Sequence, residues 1–411
     1  MKDINLESCE LSTISNKTIS LVEQSSYYWQ GNPKVSVNRC NQNRNNYNMV
    51  DLFCGAGGFS IGFEMTNRFQ SILGVDIYTS ALKTYQHNHP NTSTILGDVK
   101  KISNTMYLSA LGDYEVDVVT AGVPCQGFSI SNKKRAINDE RNFLFLEVIR
   151  FVNLVNPKVV IIENVGGMKS YNNGQFVAEI ENALRVAGHG YLVKSFIVNA
   201  ADYGVPQNRK RLIFVAISNV NGLLNNELLD VFFPPLPTHG LGLDNRYNTV
   251  WDAISDLPET AANEYIIAPQ SIYQFFMRNN KLMLFNHIPP NHPQNTIEKI
   301  RNTTPGEPMY EKYKQRIRLH WDMLSPTQLA GGIRPQFQFG HPQFPRGLTI
   351  RERARIQSFP DNIQFFGGIV QERVQTGNAV PPLLAQSIAF QVANIIDIIF
   401  NNQQINCVVN L

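Results

Sequence analysis

Short apolar runs alternate with stretches of helical spacing from residue 49 to residue 218. MVDLF, SILGVDI, STILGD, EVDVVTAGV, KVVIIENV, YLVKSFIVNA and KRLIFVAIS are rich in Val, Ile and Leu and bounded by Gly, Pro or Asn, so they read as buried strands. Between them SIGFEMTN, YTSALKTYQHNH, NFLFLEVIRFVNLVN and QFVAEIENALRVAGH repeat apolar residues at helical spacing, the last closed by Gly188 and Gly190. This order predicts an α/β fold with an open, mostly parallel sheet covered on both faces. The last two runs leave no room for a crossover helix and are expected to pair antiparallel at the sheet's edge.

The alternation sets the domain boundaries. Residues 1–46 are Asn- and Ser-rich and predict a loose N-terminal extension, in which LSTISNKTISLVEQSS has the length for one helix. Residues 47–220 carry the strands. From 221 to 345 the chain is rich in Pro, Asn, Gln, His and aromatics, as in FNHIPPNHPQN and RPQFQFGHPQFPRG, and reads as a separate, loop-rich domain. Order returns over 346–372, a hinge segment containing LTIRERARIQSFP, and over 373–411, where GNAVPP precedes a long, largely buried helix.

Composition narrows the classes. A chain of 411 residues holds two or three domains. Five cysteines, Cys9, Cys40, Cys54, Cys125 and Cys407, without CxxC spacing, predict reduced thiols in a cytosolic compartment and no metal site. MKDINLESCE lacks a signal-peptide core, and no apolar run approaches membrane-spanning length, so a cytoplasmic protein without a membrane partner is expected. The net charge of +3 is too small to imply a polyanion partner by itself, so any nucleic-acid surface has to come from local clusters of Lys and Arg.

The candidate chemistry gathers where strands end, because ligands of parallel sheets bind beyond the carboxyl ends of the strands. DVVTAGV stops at Pro124 and delivers Cys125 into the loop CQGFSIS, which makes Cys125 a candidate nucleophile, although a lone cysteine often serves as a small buried hydrophobe. Gly55, Gly57 and Gly58 form a strand-to-helix turn in which absent side chains let a ligand approach the backbone. Ser60 stands where a dinucleotide fingerprint has its third glycine, which disfavours a nicotinamide enzyme. Asp76, at the end of the second run, is placed to accept ribose hydroxyls, and Asp98, in LGDV, to accept from an adenine amino group; each alone would serve equally as a helix N-cap. Together they suit an adenosine-containing cofactor with no pyrophosphate. Glu163 ends VVIIENV, either capped by backbone or poised in a cleft to hold a proton for a ring nitrogen. Arg209 and Arg211 alternate onto one side of an edge strand, with exposed edge charge as the ordinary alternative.

DLFCGAGGFSIGFE, GVDI, GDV, GVPCQGFSIS, ENV, QNRKR, LTIRERARIQSFP and GNAVPP occur in the order and rough spacing of the DNA (cytosine-5)-methyltransferases. From residue 49 to about 400, the middle domain excepted, the chain resembles that family in its bacterial restriction-modification form. The resemblance implies a Rossmann-like methyltransferase sheet with a smaller, irregular target-recognition domain at 221–345, and it has the last helix return to the catalytic domain. It implies methyl transfer from S-adenosyl-L-methionine to carbon 5 of a cytosine flipped out of double-stranded DNA. Cys125, held by Pro124, becomes the thiolate that adds to carbon 6, Glu163 the acid at nitrogen 3, and Arg211 with Arg209 the contact to the carbonyl oxygen. The cofactor pocket is assigned Phe53, Gly55, Gly57, Gly58, Asp76, Ile77, Asp98, Val99, Gly122, Asn378 and Val380; Asp76 stands where Glu is also often seen. The loop 126–141 becomes a lid over DNA, with Gln126, Ser129, Ser131, Lys133, Lys134, Arg135 and Arg141 as contacts. In the middle domain Lys312, Lys314, Arg316 and Arg318 are candidate phosphate contacts. The protein is expected to act as a monomer, associated with the nucleoid. Rival readings keep the fold but methylate tRNA, or make the chain a non-catalytic DNA-binding regulator, or a cysteine hydrolase using His189 or His239.

Overall fold

In a computed structural model, described here for residues 27–38, 46–124, 143–219, 222, 224–279, 283–330 and 337–400, the apolar runs assemble into one eight-stranded sheet. The strands are β1 (Lys34–Ser36), β2 (Tyr47–Leu52), β3 (Phe69–Asp76), β4 (Ser93–Leu96), β5 (Val118–Gly122), β6 (Val159–Val165), β7 (Tyr191–Asn199), β8 (Gln207–Asn208), β9 (Lys210–Ser218) and β10 (Ser325–Pro326). The main sheet has the order β1-β4-β3-β2-β5-β6-β9-β7, while β8 and β10 pair separately, in parallel. From β4 to β6 all neighbours are parallel. β9 is antiparallel to both β6 and β7. The expected antiparallel pair is therefore present, with β9 inserted between β6 and β7 because the short 200–209 connection cannot carry a crossover.

Alternate residues of each strand face opposite layers. Val119, Ile162 and Phe214 meet α3 (Asn104–Leu111), α4 (Phe145–Val155) and α5 (Gln175–Val186) through Tyr107, Phe151 and Leu184. Val118, Ile161 and Ile213 meet α1 (Gly58–Glu64) and the last helix of the chain, Pro382–Phe400, through Phe63, Leu384, Ile388, Val392 and Ile396. α2 (Thr79–Asn88) follows β3 and buries Leu82 and Tyr85 against Cys54. Each such side chain contributes roughly 1.5–3 kcal/mol of burial.

Beyond β9, α6 (Asn226–Phe232) packs Leu229 onto the α12 side of the sheet, and the chain then builds a second lobe from α7 (Val250–Ile254), α8 (Ile272–Arg278) and α9 (Gln294–Asn302). It then returns through α10 (Ile350–Ile356), α11 (Ile369–Asn378) and α12 (Pro382–Phe400). The stretch Ile369–Phe400, which ends in α12, is long and apolar enough to cross a membrane, contrary to the expectation that no apolar run approaches that length, but the apolar stripe of α12 lies on the sheet.

Two expectations about the ends of domains change. Part of the presumed loose extension is ordered: β1 pairs antiparallel with β4, and Val35 turns onto the core. The otherwise open N–H and C=O groups of β4 explain why so short a strand is held. The presumed hinge at 346–372 contains α10, all seven of whose residues are buried, and joins the lobes by packing Ile350 and Ala354 with Ala56 and Ile61.

Candidate active site at the carboxyl ends of the strands

β3 and β4 lie on one side of β2, while β5 and β6 lie on the other, so the sheet's switch point falls between β2 and β5. At the end of β2 the chain turns sharply through Phe53 (φ 59°), Gly55 (φ 55°) and Gly57 (φ 88°) before α1 begins. Left-handed backbone at a residue as bulky as Phe53 is uncommon and marks a turn its surroundings hold in place. A Cβ on Gly55 would meet nothing within 4 Å, and one on Gly122, across the switch point, only Phe53 O at 3.8 Å. These two glycines leave space above the strand ends.

Asp76 closes β3 beside that space. Its Oδ2 accepts from Gly55 N and its Oδ1 from Tyr78 N, each at 2.7 Å, so the carboxylate ties the glycine turn to the β3–α2 loop. Burial raises its pKa, and the amides of Tyr78 and Gly55 oppose the shift. Asp98 is a cap as well as a candidate ligand: its side chain accepts from Lys100 N at 3.1 Å. Ile77 is half-buried beside Asp76, whereas Val99 turns into the core.

Two glycines assigned to the pocket also serve packing. A Cβ on Gly58 would lie 2.1 Å from Val380 O, and one on Gly57 2.7 Å from His89 Nε2. Gly58 thus lets the segment before α12 approach α1, and Val380 is buried by that contact, while Asn378, at the end of α11, is exposed.

On the other side of the switch point Gly122 pairs with Glu163, so the strand that leads to Pro124 ends beside the acid. Cys125 itself and Gln126, Ser129, Ser131, Lys133, Lys134, Arg135 and Arg141 lie outside the described residues. Pro124 is exposed. Glu163, 7% exposed, forms an ion pair with Arg211, Oε1 to Nε 2.6 Å. The register accounts for it: Glu163 lies opposite Ile213 and Arg211 opposite Val165, so the two are diagonal neighbours on one face. Burial lowers the Arg211 pKa and Glu163 opposes it. Among the described residues no other donor reaches Glu163.

Neither arginine of QNRKR is an exposed edge charge. Arg209, 1% exposed, donates to Gln328 O (3.3 Å), Gly377 O (3.0 Å) and Ala379 O (3.1 Å), which makes it a tie between lobes. In the second lobe, Lys312 and Lys314 are exposed as a phosphate contact requires. Arg318 instead spends its guanidinium on carbonyls, among them Thr303 O and Pro342 O at 3.0 Å, and Arg316 is buried over the Tyr313 ring.

Cys54 is buried, and desolvation, then the charges of Asp76 and Asp51, push its thiol up, which makes it a poor nucleophile. His189 stands just before β7, at the opposite end of the sheet from Pro124, so it cannot serve a hydrolase there. Among the described residues no group of three His, Cys, Asp or Glu is arranged for a metal. A cavity of about 720 Å³ lined by Tyr203, His239, Trp251 and Phe276 shares no residue with the strand-end site. Sequence reasoning missed the buried cluster beneath the glycine turn, where Asp51 accepts from Ser60 and Thr120 at 2.9 Å; its one visible sign was a carboxylate inside the apolar run MVDLF.

A family model for C-5 cytosine-specific DNA methylases matches residues 47–394. The chain is 37% identical over 352 residues to the Type II methyltransferase M1.HphI of Haemophilus parahaemolyticus, covering 83% of this chain and 85% of that one. It is 35% identical to M.DdeI of Desulfomicrobium norvegicum, covering 84% and 88%. Among solved structures, an E. coli prophage-encoded protein described as a DNA modification methyltransferase matches 86% of this chain and all of its own at 25% identity, with a TM-score of 0.70. The S. pombe Dnmt2 methyltransferase, at 15% identity and a TM-score of 0.54, shares the fold. With the glycine turn, the two strand-end acids and the Glu163–Arg211 pair set along one edge of the sheet, the chain belongs to the C-5 cytosine-specific DNA methylases and is a DNA (cytosine-5)-methyltransferase.

Proposed function

We propose that the enzyme takes its methyl group from S-adenosyl-L-methionine and modifies a cytosine flipped out of a short, specific duplex sequence. Acting as a monomer in the cytoplasm, it protects that sequence from a cognate restriction endonuclease. The observation that carries the reading is the ion pair of Glu163 and Arg211, buried at the strand ends beside Gly122, which precedes Cys125 by three positions in the sequence.

The residues present fit the cofactor. A Cβ would fill the space above Gly55 and Gly122, and each Asp76 oxygen uses one lone pair on a backbone amide, leaving acceptor capacity for ribose hydroxyls. On this reading Ile77 and Asp98 belong to the same pocket, beside Phe53. When bound, the cofactor supplies an electrophilic methyl group on a sulfonium sulfur.

Carbon 5 of cytosine is a poor nucleophile, so the ring has to be activated from the protein side. The Cys125 thiolate adds to carbon 6, and the electron pair of the carbon 5–carbon 6 double bond shifts toward carbon 5. Glu163 stabilises the ring at nitrogen 3, and Arg211 holds Glu163 in place while meeting the base's carbonyl oxygen. After methylation, loss of the carbon 5 proton lets the sulfur leave and restores the ring. Reaching this pocket requires extruding the base, at a cost of a few kcal/mol, and phosphate contacts from the loop 126–141 and from Lys312 and Lys314 offset that cost.

The Cys125→Ser variant is expected to bind cofactor yet lose methylation, while the wild type is trapped covalently on duplex DNA containing 5-fluorocytosine. Bisulfite sequencing of DNA from cells expressing either form reads the first outcome and names the target site. Robust turnover by the serine variant would remove Cys125 from the nucleophile's role.

A further inference from the structure

The family model begins at residue 47, yet residues 27–38 are folded against the cofactor side of the sheet. β1 covers the edge of β4 by pairing Lys34 with Leu96, Val35 with Ile95 and Ser36 with Thr94. Before β1 the chain crosses the carboxyl ends of β4 and β3. Pro33 sits on Gly97, where a Cβ would come within 2.8 Å of it, and Gly97 N donates to Asp76 O at 3.0 Å. Trp29 N donates to Ile77 O at 2.8 Å, Thr79 N donates to Tyr27 O at 3.3 Å, and Tyr28 forms an isolated antiparallel bridge with Tyr78. The rings of Tyr27 and Tyr28 lie 5.9 and 5.7 Å from that of Tyr78. The turn is also held within itself: Trp29 Nε1 donates to Asn32 O at 2.7 Å, and Lys34 Nζ lies 4.2 Å from the Trp29 ring.

The loop 76–79 is thus gripped from two sides. Asp76 binds it to the glycine turn, and residues 27–29 bind its outer face. We propose that residues 27–36 form the outer wall of the cofactor pocket on its adenosine side, and that Tyr27 and Tyr28 are positioning residues that set cofactor affinity by holding Tyr78, and through it Ile77 and Asp76, in place. The inference rests on the reading of the strand-end site as the S-adenosylmethionine pocket. A brace outside the reacting centre acts on binding of the cofactor and leaves the chemical step unchanged once the pocket is filled.

The test compares the full-length wild type with Tyr27→Ala/Tyr28→Ala and with Tyr27→Phe/Tyr28→Phe. Calorimetry with S-adenosylmethionine and S-adenosylhomocysteine, and steady-state kinetics at saturating DNA, are the readouts. The alanine pair is expected to raise Kd and KM for the cofactor roughly tenfold, the change expected for two lost aromatic contacts. Its kcat at saturating cofactor and its DNA affinity should stay at the wild-type values, and the phenylalanine pair should bind cofactor as the wild type does. Unchanged cofactor Kd in the folded alanine variant, or equal losses in kcat and DNA binding, would overturn the proposal. Tyr28→Leu, which keeps apolar volume without a ring, carries the same comparison if the double variant does not fold. A wild type that binds neither compound would defeat the cofactor reading itself, whereas a wild type that binds both and variants that match it would defeat only the role of the brace.

Discussion

Asp51, 1% exposed in β2, shows how one side chain can hold a ligand turn from below. Its Oδ1 accepts from Thr120 Oγ1 on β5 and its Oδ2 from Ser60 Oγ on α1, while Ser60 Oγ also lies 2.9 Å from Tyr85 OH on α2. Two strands and two helices are fastened to one carboxyl group directly beneath the turn at Gly55. Burial raises that group from 3.8 to about 7, against the pull of the Ser60 and Thr120 hydroxyls. The unfolded chain ionises at the lower value, so between the two the native state holds an extra proton. The stabilisation from Asp51 is therefore complete below about pH 3.8 and is lost as pH rises through about 7. Asp51→Asn cannot ionise, so its unfolding free energy minus that of the wild type should rise with pH, by up to about 1.4 kcal/mol per pH unit between pH 5 and 7. Urea unfolding at several pH values measures this, and a difference that does not vary with pH would show that Asp51 does not titrate there.

α10 is an element whose sequence gives little hint of its place. IRERARI carries four charged residues in seven, yet Arg351, Glu352, Arg353 and Arg355 are all buried. Arg355 binds Asp361 through Nε at 2.5 Å and Nη2 at 2.6 Å and reaches Asp256 at 3.2 Å, while Arg346 grips Glu352 at 2.8 and 2.9 Å. Arg355→Met should cost roughly 3 kcal/mol or more, because Asp361 then stays buried with Arg351 as its nearest cation, 3.6 Å away. Denaturant unfolding of the variant, and partial recovery on adding Asp361→Asn, check that the loss comes from the stranded carboxylate. The contrast with the strands is physical. β2, β3, β5 and β6 are buried on both faces, so their apolar runs end visibly, and Asp76 and Glu163 stand out as the polar residues at those ends. Arg211 flanks an apolar run in the same way, but its role came only with the resemblance. The partners of α10 and Arg209 lie up to 170 positions away and include bare carbonyls, which no local spacing reveals. β1 was missed because its three residues are held by the edge they cover more than by their own apolar content.

At the scale of the whole molecule, the end of the chain completes its beginning. α12 lies across the same sheet face as α1, and the two helices touch where Gly58 and Gly62 lack side chains: a Cβ on Gly62 would fall 2.3 Å from Pro382 O and 2.5 Å from Ala385 Cβ. The second lobe is inserted between these two helices, and it is not insulated from them. Leu383 packs on the cores of both lobes, Ala56 and Ile61 share a cluster with Ile350 and Phe359, and Gln207 bonds Gln357 at 2.6 Å while Gln357 bonds Ala379 O at 2.5 Å. With apolar and polar contacts crossing the junction together, the lobes should unfold as one unit. Gly62→Ala forces α12 outward and is expected to cost about 1–3 kcal/mol. In a Trp29→Phe background the two remaining tryptophans, Trp251 and Trp321, lie in the second lobe, so their fluorescence follows a region far in sequence from the substitution. The fluorescence midpoint in urea should fall by the same amount as the midpoint followed by far-ultraviolet circular dichroism. A tryptophan midpoint that stays at the wild-type value while the dichroism midpoint falls would mean that the lobes melt independently, and the contacts across the junction would then not be what joins them.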